Sequence, residues 1–363
     1  MTGPSKAFQP IRVGRVQLGH RIAMAPLTRM RADEKTNVLP DFSEEYYEQR
    51  ASRPGTLLIT EAAMISPEAG GYANAPGIHS KEQVERWRGI FGRIHKSGSF
   101  VYSQLIAMGR RAPEKVMGKG NVVAPSDIPV NNGDVPRPLT EKEIQGYVQQ
   151  FVTAAKNAIE AGADGVELHA ANGYLFDQFQ HENSNHRTDR YGGSIENRAR
   201  FTLETIDAVS KAIGADRTAV RFSPWESTGD MNYGVSAIPQ WSYLAVELEK
   251  RRLQGQELAY VHLTEPRVAG QVDREQKSHE SNDFFRQIYR GVLVRAGGLG
   301  DIALINELCA KDDKLVIAVG RHFISNPDLI NRFEAGIPLN KYHRPTFYGQ
   351  GRIGYTDYPF AST

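Results

Sequence analysis

Eight short apolar segments recur along the chain, each followed by a stretch with amphipathic helix signals, and this alternation narrows the available folds more than any other feature. The segments are "RIAMAPL" (21–27), "TLLITEAAMI" (56–65), "SFVYSQLI" (99–106), "GVELHAA" (165–171), "TAVRFSP" (218–224), "LAYVHLTE" (258–265), "VLVRAGG" (292–298) and "LVIAVGR" (315–321). Near-continuous apolar runs of this length suit strands covered on both faces, as in a parallel sheet.

The intervening helices carry their own boundary signals. Ser80 with Gln83, and Thr140 with Glu143, fit capping boxes. Ile144, Val148, Phe151, Val152, Ala155 and Ile159 form one stripe that stops at Gly162. Asn326 is expected to cap a helix with Pro327 in its first position and Gly336 at its end. Further helices are expected over 42–51, 194–215, 241–254, 282–291 and 301–313, with Ser194 as a cap.

Eight strands alternating with eight helices predict an α/β chain folded as a (β/α)8 TIM barrel, a single domain over 1–363. A doubly wound sheet uses the same units but would place G-x-G-x-x-G after an early strand. Here the early turns read "PLTRM" and "TEAAMI". Two long loops, 109–140 and 265–282, follow the third and sixth strands, on the face where barrel sites form.

Composition removes other classes. With 44 basic and 42 acidic residues, no nucleic-acid or membrane surface is expected. No apolar run approaches the ~20 residues of a membrane span, and the first residues lack a signal-peptide core, so a cytoplasmic protein is expected. The single cysteine, Cys309, forms no internal disulfide and reads as a small buried hydrophobe. His181 and His186 lack the spacing of a metal site, and none is expected. The expected partner is a small molecule.

In a barrel the strand ends converge, so polar residues there are read together as a site. They are Thr28, Gln104, His169, Asn172, Tyr174, Arg221, Gly297, Gly298, Gly320 and Arg321. The glycines of "RAGGLGD" and "AVGRHF", with Arg321, suit a phosphate, although glycine turns beside a surface arginine would read the same. Arg221 is expected to face inward, and a buried cation needs an anion. Either Glu167 or Glu61 across the barrel or a charged ligand would supply it. A lone histidine is more often a satisfied core residue, but His169, Asn172 and Tyr174 share one loop at the catalytic face.

Several blocks in order, 24–32, 54–78, 165–179, 185–204, 318–329 and 345–359, resemble the old yellow enzyme family of FMN-dependent ene-reductases, including fungal members of ergot-alkaloid type. The resemblance implies FMN across the barrel mouth and NADPH as its reductant. Its phosphate would meet Gly297, Gly298, Gly320 and Arg321. Thr28 would sit near the flavin C4 oxygen and N5, Gln104 at the pyrimidine edge, and Arg221 at N1 and the C2 oxygen. Pro26 and Leu27 would pack on the ring, with Ala62 also at the cofactor. An α,β-unsaturated carbonyl substrate would take hydride at its β-carbon in a ping-pong cycle. His169 and Asn172 would hold its carbonyl oxygen while Tyr174 protonated its α-carbon. Phe347 and Tyr348 would close the pocket, with Ile106 and Phe176 also at the substrate. Ile106 departs from the family, where many members carry tryptophan, and this predicts a reshaped pocket. Two other readings stay open: an FMN-containing isomerase or cyclase without net reduction, and a non-redox barrel binding a phosphorylated ligand. A monomer or a homodimer is expected.

Overall fold

The computed structural model describes residues 5–270 and 272–362. The eight expected strands all form: β1 Ile22–Met24, β2 Leu57–Ile59, β3 Phe100–Ile106, β4 Gly165–Ala170, β5 Thr218–Phe222, β6 Tyr260–Thr264, β7 Leu293–Ala296 and β8 Leu315–Val319. Each pairs in parallel with its sequence neighbours. β8 returns to β1, with Ile317 opposite Ile22 and Val319 opposite Met24, so the sheet closes into an eight-stranded parallel barrel. Closure leaves no free edge between these strands.

The barrel helices are α1 Ser43–Arg50, α2 Lys81–Lys96, α3 Glu141–Glu160, α4 Ile195–Ile213, α5 Ile238–Leu253, α6 Asp283–Ile288, α7 Ile302–Lys311 and α8 Leu329–Ala335. Ser80 and Thr140 complete reciprocal capping boxes at α2 and α3, and the Ser194 hydroxyl accepts the Asn197 N–H at α4. Asn326 does not cap α8. A short helix, Arg321–Ser325, opens directly after β8, and the Asn326 amide is spent on carbonyls of His322 and Asn340. α8 instead follows Asp328 and ends at Gly336, whose φ of 67° is the left-handed stop expected.

Strand alternation divides the core. Val166, Leu168 and Ala170 of β4 join the layer between strands and helices. A second cluster fills the lumen, where Tyr102 and Tyr260 meet with centroids 5.2 Å apart. It also includes Ile11, Val13, Val16 and Leu18 of an antiparallel hairpin, Ile11–Val13 with Val16–Leu18, which packs beside the starts of the barrel strands. The opposite end, where the strands finish, is left for the long loops. Among the described residues no helix is long and apolar enough to cross a membrane, and Cys309 is buried.

Candidate functional site

A cavity of about 1060 Å³ opens at the C-terminal ends of the strands. Pro26, Leu27 and Thr28 line it from the turn after β1, and Gln104 from β3. His169, Asn172 and Tyr174 come from β4 and its loop, and Arg221 from β5. Gly297, Gly298, Gly320 and Arg321 supply the wall after β7 and β8, while Phe347 and Tyr348 contribute from the segment beyond α8.

The β4 loop follows from local geometry. Glu167 and His169 are two apart on one strand, so both point into the barrel, His169 nearer the mouth. Past Ala170 the chain reverses through Asn172 at φ 57° and Gly173 at φ 75°. A Cβ at position 173 would lie 2.5 Å from the Thr228 carbonyl oxygen, so only glycine fits there. The Asn172 N–H donates to the Ser223 hydroxyl at 2.7 Å, and the Gly173 N–H to Asp177 at 2.8 Å. Tyr174 then opens the short helix Leu175–Gln180 and meets the His169 ring edge to face at 4.9 Å.

Electrostatics set the protonation states. Burial, followed by the nearby guanidiniums of Arg221 and Arg111, holds the His169 pKa well below its ordinary range, leaving a neutral imidazole. Its Nδ1 and the Asn172 Oδ1 are buried without hydrogen-bond partners in the protein. Burial pushes the Tyr174 phenol up to about 12, with Arg111 opposing the shift. It therefore carries its proton at neutral pH.

Among the described residues Arg221 forms no ion pair with either of the carboxylates considered for it, although Glu167 still attracts it electrostatically. Glu167 accepts from Gln104 Nε2 at 2.6 Å and faces His262 Nδ1 at 2.8 Å. Glu61 accepts from the Arg29 backbone N–H at 3.2 Å and from the Tyr47 hydroxyl at 3.3 Å. The Arg221 Nε is buried with no partner. Because Arg221 also lines the cavity, its buried cation suits an anionic group bound there.

Three expected residues lie elsewhere. The Phe176 ring packs between Phe151 and Phe201, each with its centroid 4.6 Å away, so it is core rather than substrate wall. Ala62 and Ile106 sit in an apolar cluster with Met64, Ala75, Met108 and Ala112, against which Tyr174 packs from the cavity side. Arg321 lines the cavity, but its guanidinium is not a free fork: Nη1 donates to Asp273 at 2.8 Å, and Nη2 contacts the same carboxylate. Asp273 belongs to the long loop after β6, which folds back over the wall.

Other contributors carry no local sequence signal. Arg111 begins the loop after β3. Arg29 and Arg31 are buried and grip the segment that bears Phe347 and Tyr348. Arg29 donates to the Phe347 and Gly354 carbonyls at 3.1 and 2.7 Å, and Arg31 to those of Thr346, Phe347 and Ile353 at 2.9, 2.7 and 3.1 Å. Their role is visible only once the chain has closed on itself.

The model of the family described as NADH:flavin oxidoreductase / NADH oxidase matches residues 6–340. The chain belongs to this family. It is an old yellow enzyme relative: 44% identical over 97% of its length to enoate reductase 1 of Kluyveromyces lactis, covering 93% of that protein. It is 45% identical over 99% of its length to a chanoclavine-I aldehyde reductase of Penicillium roqueforti, covering 97% of that sequence. The solved Old Yellow Enzyme of a Pichia species superposes with a TM-score of 0.91 at 38% identity, over 100% of this chain and 95% of that one. Membership makes this protein an oxidoreductase and implies FMN with a nicotinamide reductant.

The cavity of this old yellow enzyme relative fits such a cofactor. Six arginines line it (Arg111, Arg221, Arg267, Arg274, Arg321 and Arg344), against two aspartates, Asp273 and Asp301. Gly297 and Gly298 have φ of 106° and 69°, and a Cβ on Gly297 would lie 2.9 Å from Val268. Backbone this open beside a cationic wall suits a phosphate.

Proposed function

We propose that the protein reduces the activated C=C bond of α,β-unsaturated carbonyl compounds, with NADPH as the electron source. The observation that carries this reading is the convergence of a neutral His169, Asn172 and a protonated Tyr174 on the cavity that Arg221 faces. Pro26, Leu27, Thr28 and Gln104 would hold the flavin ring, Arg221 its electron-rich edge, and Gly297, Gly298 and Gly320 its phosphate, with Arg321 joining them where the phosphate displaces Asp273. When bound, FMN supplies hydride to the substrate β-carbon after taking it from NADPH, one half-reaction following the other at one site.

The chain's own groups do the rest. A neutral imidazole presents one N–H, and the Asn172 amide presents two. Together they hold the carbonyl oxygen and stabilise the negative charge that gathers there as the double bond is reduced. The Tyr174 O–H then breaks and its proton goes to the α-carbon. Phe347, buried, and Tyr348, on the rim, exclude water. Ile106 shapes the site from behind, through the cluster that supports Tyr174.

The test is an NADPH-oxidation assay across a panel of enones with product analysis, repeated on Tyr174→Phe and on His169→Ala with Asn172→Ala. Loss of enone reduction in these variants is expected. Undiminished reduction in all of them would refute the roles, and product formed without NADPH consumption would mean isomerisation or cyclisation instead.

A further inference from the structure

Arg111 stands in the cavity wall at the start of the loop after β3, beside the residues that would hold and protonate the substrate. Its guanidinium lies over the Tyr174 ring, 4.5 Å from the centroid, and its Nη1 donates to the Asn172 carbonyl oxygen at 2.5 Å. One cation from a neighbouring βα unit thus grips two members of the β4 loop. Asn172 sits at φ 57°, a left-handed turn that asparagine tolerates, and the Arg111 contact fixes its carbonyl there. The stem of Arg111 runs along Gly229, where a Cβ would lie 3.1 Å from its Cδ. Among the described residues Arg111 forms no ion pair with a carboxylate, unlike Arg187 with Asp189 or Arg321 with Asp273. Its charge is therefore undiminished at the ring.

We propose that Arg111 is a positioning residue for substrate protonation: it fixes Asn172 and Tyr174 relative to each other and stabilises the phenolate left when Tyr174 gives up its proton. This rests on Tyr174 being the proton donor. The Tyr174 O–H bond breaks, the α-carbon C–H bond forms, and solvent later returns a proton to the phenolate. Burial, Tyr72 and Tyr348 all disfavour that phenolate, and Arg111 acts against them. A cation over an aromatic face also orients the ring.

The test compares FMN-loaded parent, Arg111→Gln, Arg111→Lys and Tyr174→Phe, following each half-reaction by stopped flow with NADPH and cyclohexenone. Protein carrying [13Cζ]tyrosine gives a readout independent of turnover, with the Tyr174 signal assigned by its loss in Tyr174→Phe. Arg111→Gln is expected to slow the enone half-reaction roughly tenfold or more, raise its solvent deuterium isotope effect and shift the Tyr174 resonance. Arg111→Lys, which keeps the charge, should recover much of the rate. Arg111→Met serves as the neutral variant if Arg111→Gln does not fold. A neutral variant within about twofold of the parent, or a lysine no better than glutamine, overturns the inference. If Tyr174→Phe is also without effect, the proton-donor reading falls too; if Tyr174→Phe slows the reaction while Arg111→Gln does not, only this inference falls.

Discussion

Glu167 on β4 and His262 on β6 meet inside the barrel, the imidazole Nδ1 2.8 Å from the carboxylate and both side chains sealed from solvent. Burial works to raise the Glu167 pKa, but His262, Arg221 and the Gln104 amide outweigh it, and the carboxylate stays ionised. Its oxygens are spent on His262 and Gln104, which leaves the Arg221 guanidinium directed at the cavity.

Glu167→Ala removes the acceptor for two buried donors and a counter-charge to Arg221. Breaking such an arrangement costs about 3–5 kcal/mol. Urea unfolding should show this loss, and a change under about 1 kcal/mol would mean the lumen tolerates the charge unaided.

Arg221→Leu acts unequally on the two forms of the protein. Removing a charge-assisted hydrogen bond to the flavin should weaken flavin binding by about 10–100-fold. The flavin-free protein should lose far less, since the guanidinium has no hydrogen-bonded carboxylate there and gives up only the electrostatic attraction of Glu167. The ratio of flavin to protein absorbance after dialysis reads the first effect, and flavin-free melting reads the second.

Burial pushes the Glu61 carboxyl up to about 7 from its ordinary 4.5. The folded state keeps a proton that the unfolded chain releases above about pH 4.5, so stability should fall from there to about pH 7 and level off beyond. The loss across that window is about 3 kcal/mol. Glu61→Gln retains an acceptor for the Arg29 N–H and should flatten the profile, as unfolding at about pH 5, 6 and 8 would reveal.

Ile106→Trp restores the bulk common in the family, but into a cluster that has closed around isoleucine. Ile106 is 5% exposed among Met64, Ala75, Met108 and Ala112. Overpacking should cost about 1–3 kcal/mol, visible as a lowered Tm. Because Tyr174 packs on the same cluster, the facial selectivity of enone reduction should change as well. Unchanged selectivity would detach Ile106 from the site.

The barrel was legible because each strand is a contiguous apolar run and α2, α3 and α4 open on capping side chains, such as Ser80 with Gln83, within four residues of one another, whereas α5 opens after Ala237 without one. Short helices gave no comparable period. The six residues Leu175–Gln180 turn Phe176 toward Phe151 and Phe201, and the five of Arg321–Ser325 displace the expected cap at Asn326. Polar residues at strand ends reached the cavity because closure of the sheet forces them there. Pairings across distant units had no local trace: Arg321 with Asp273 is 48 residues apart, and Arg111 with Asn172 is 61.

The grip of Arg29 and Arg31 on the segment around Phe347 has a consequence for biosynthesis. Arg29 and the carbonyl it holds are 318 residues apart, so translation delivers the two halves of the clamp at widely separated times. The strands can associate while the ribosome is still at work, but the pocket gains its aromatic wall only after the segment following α8 has emerged. Buried guanidinium donors stay without their carbonyls until then. A nascent chain stalled before this point would hold a barrel with an unfinished, strongly cationic mouth.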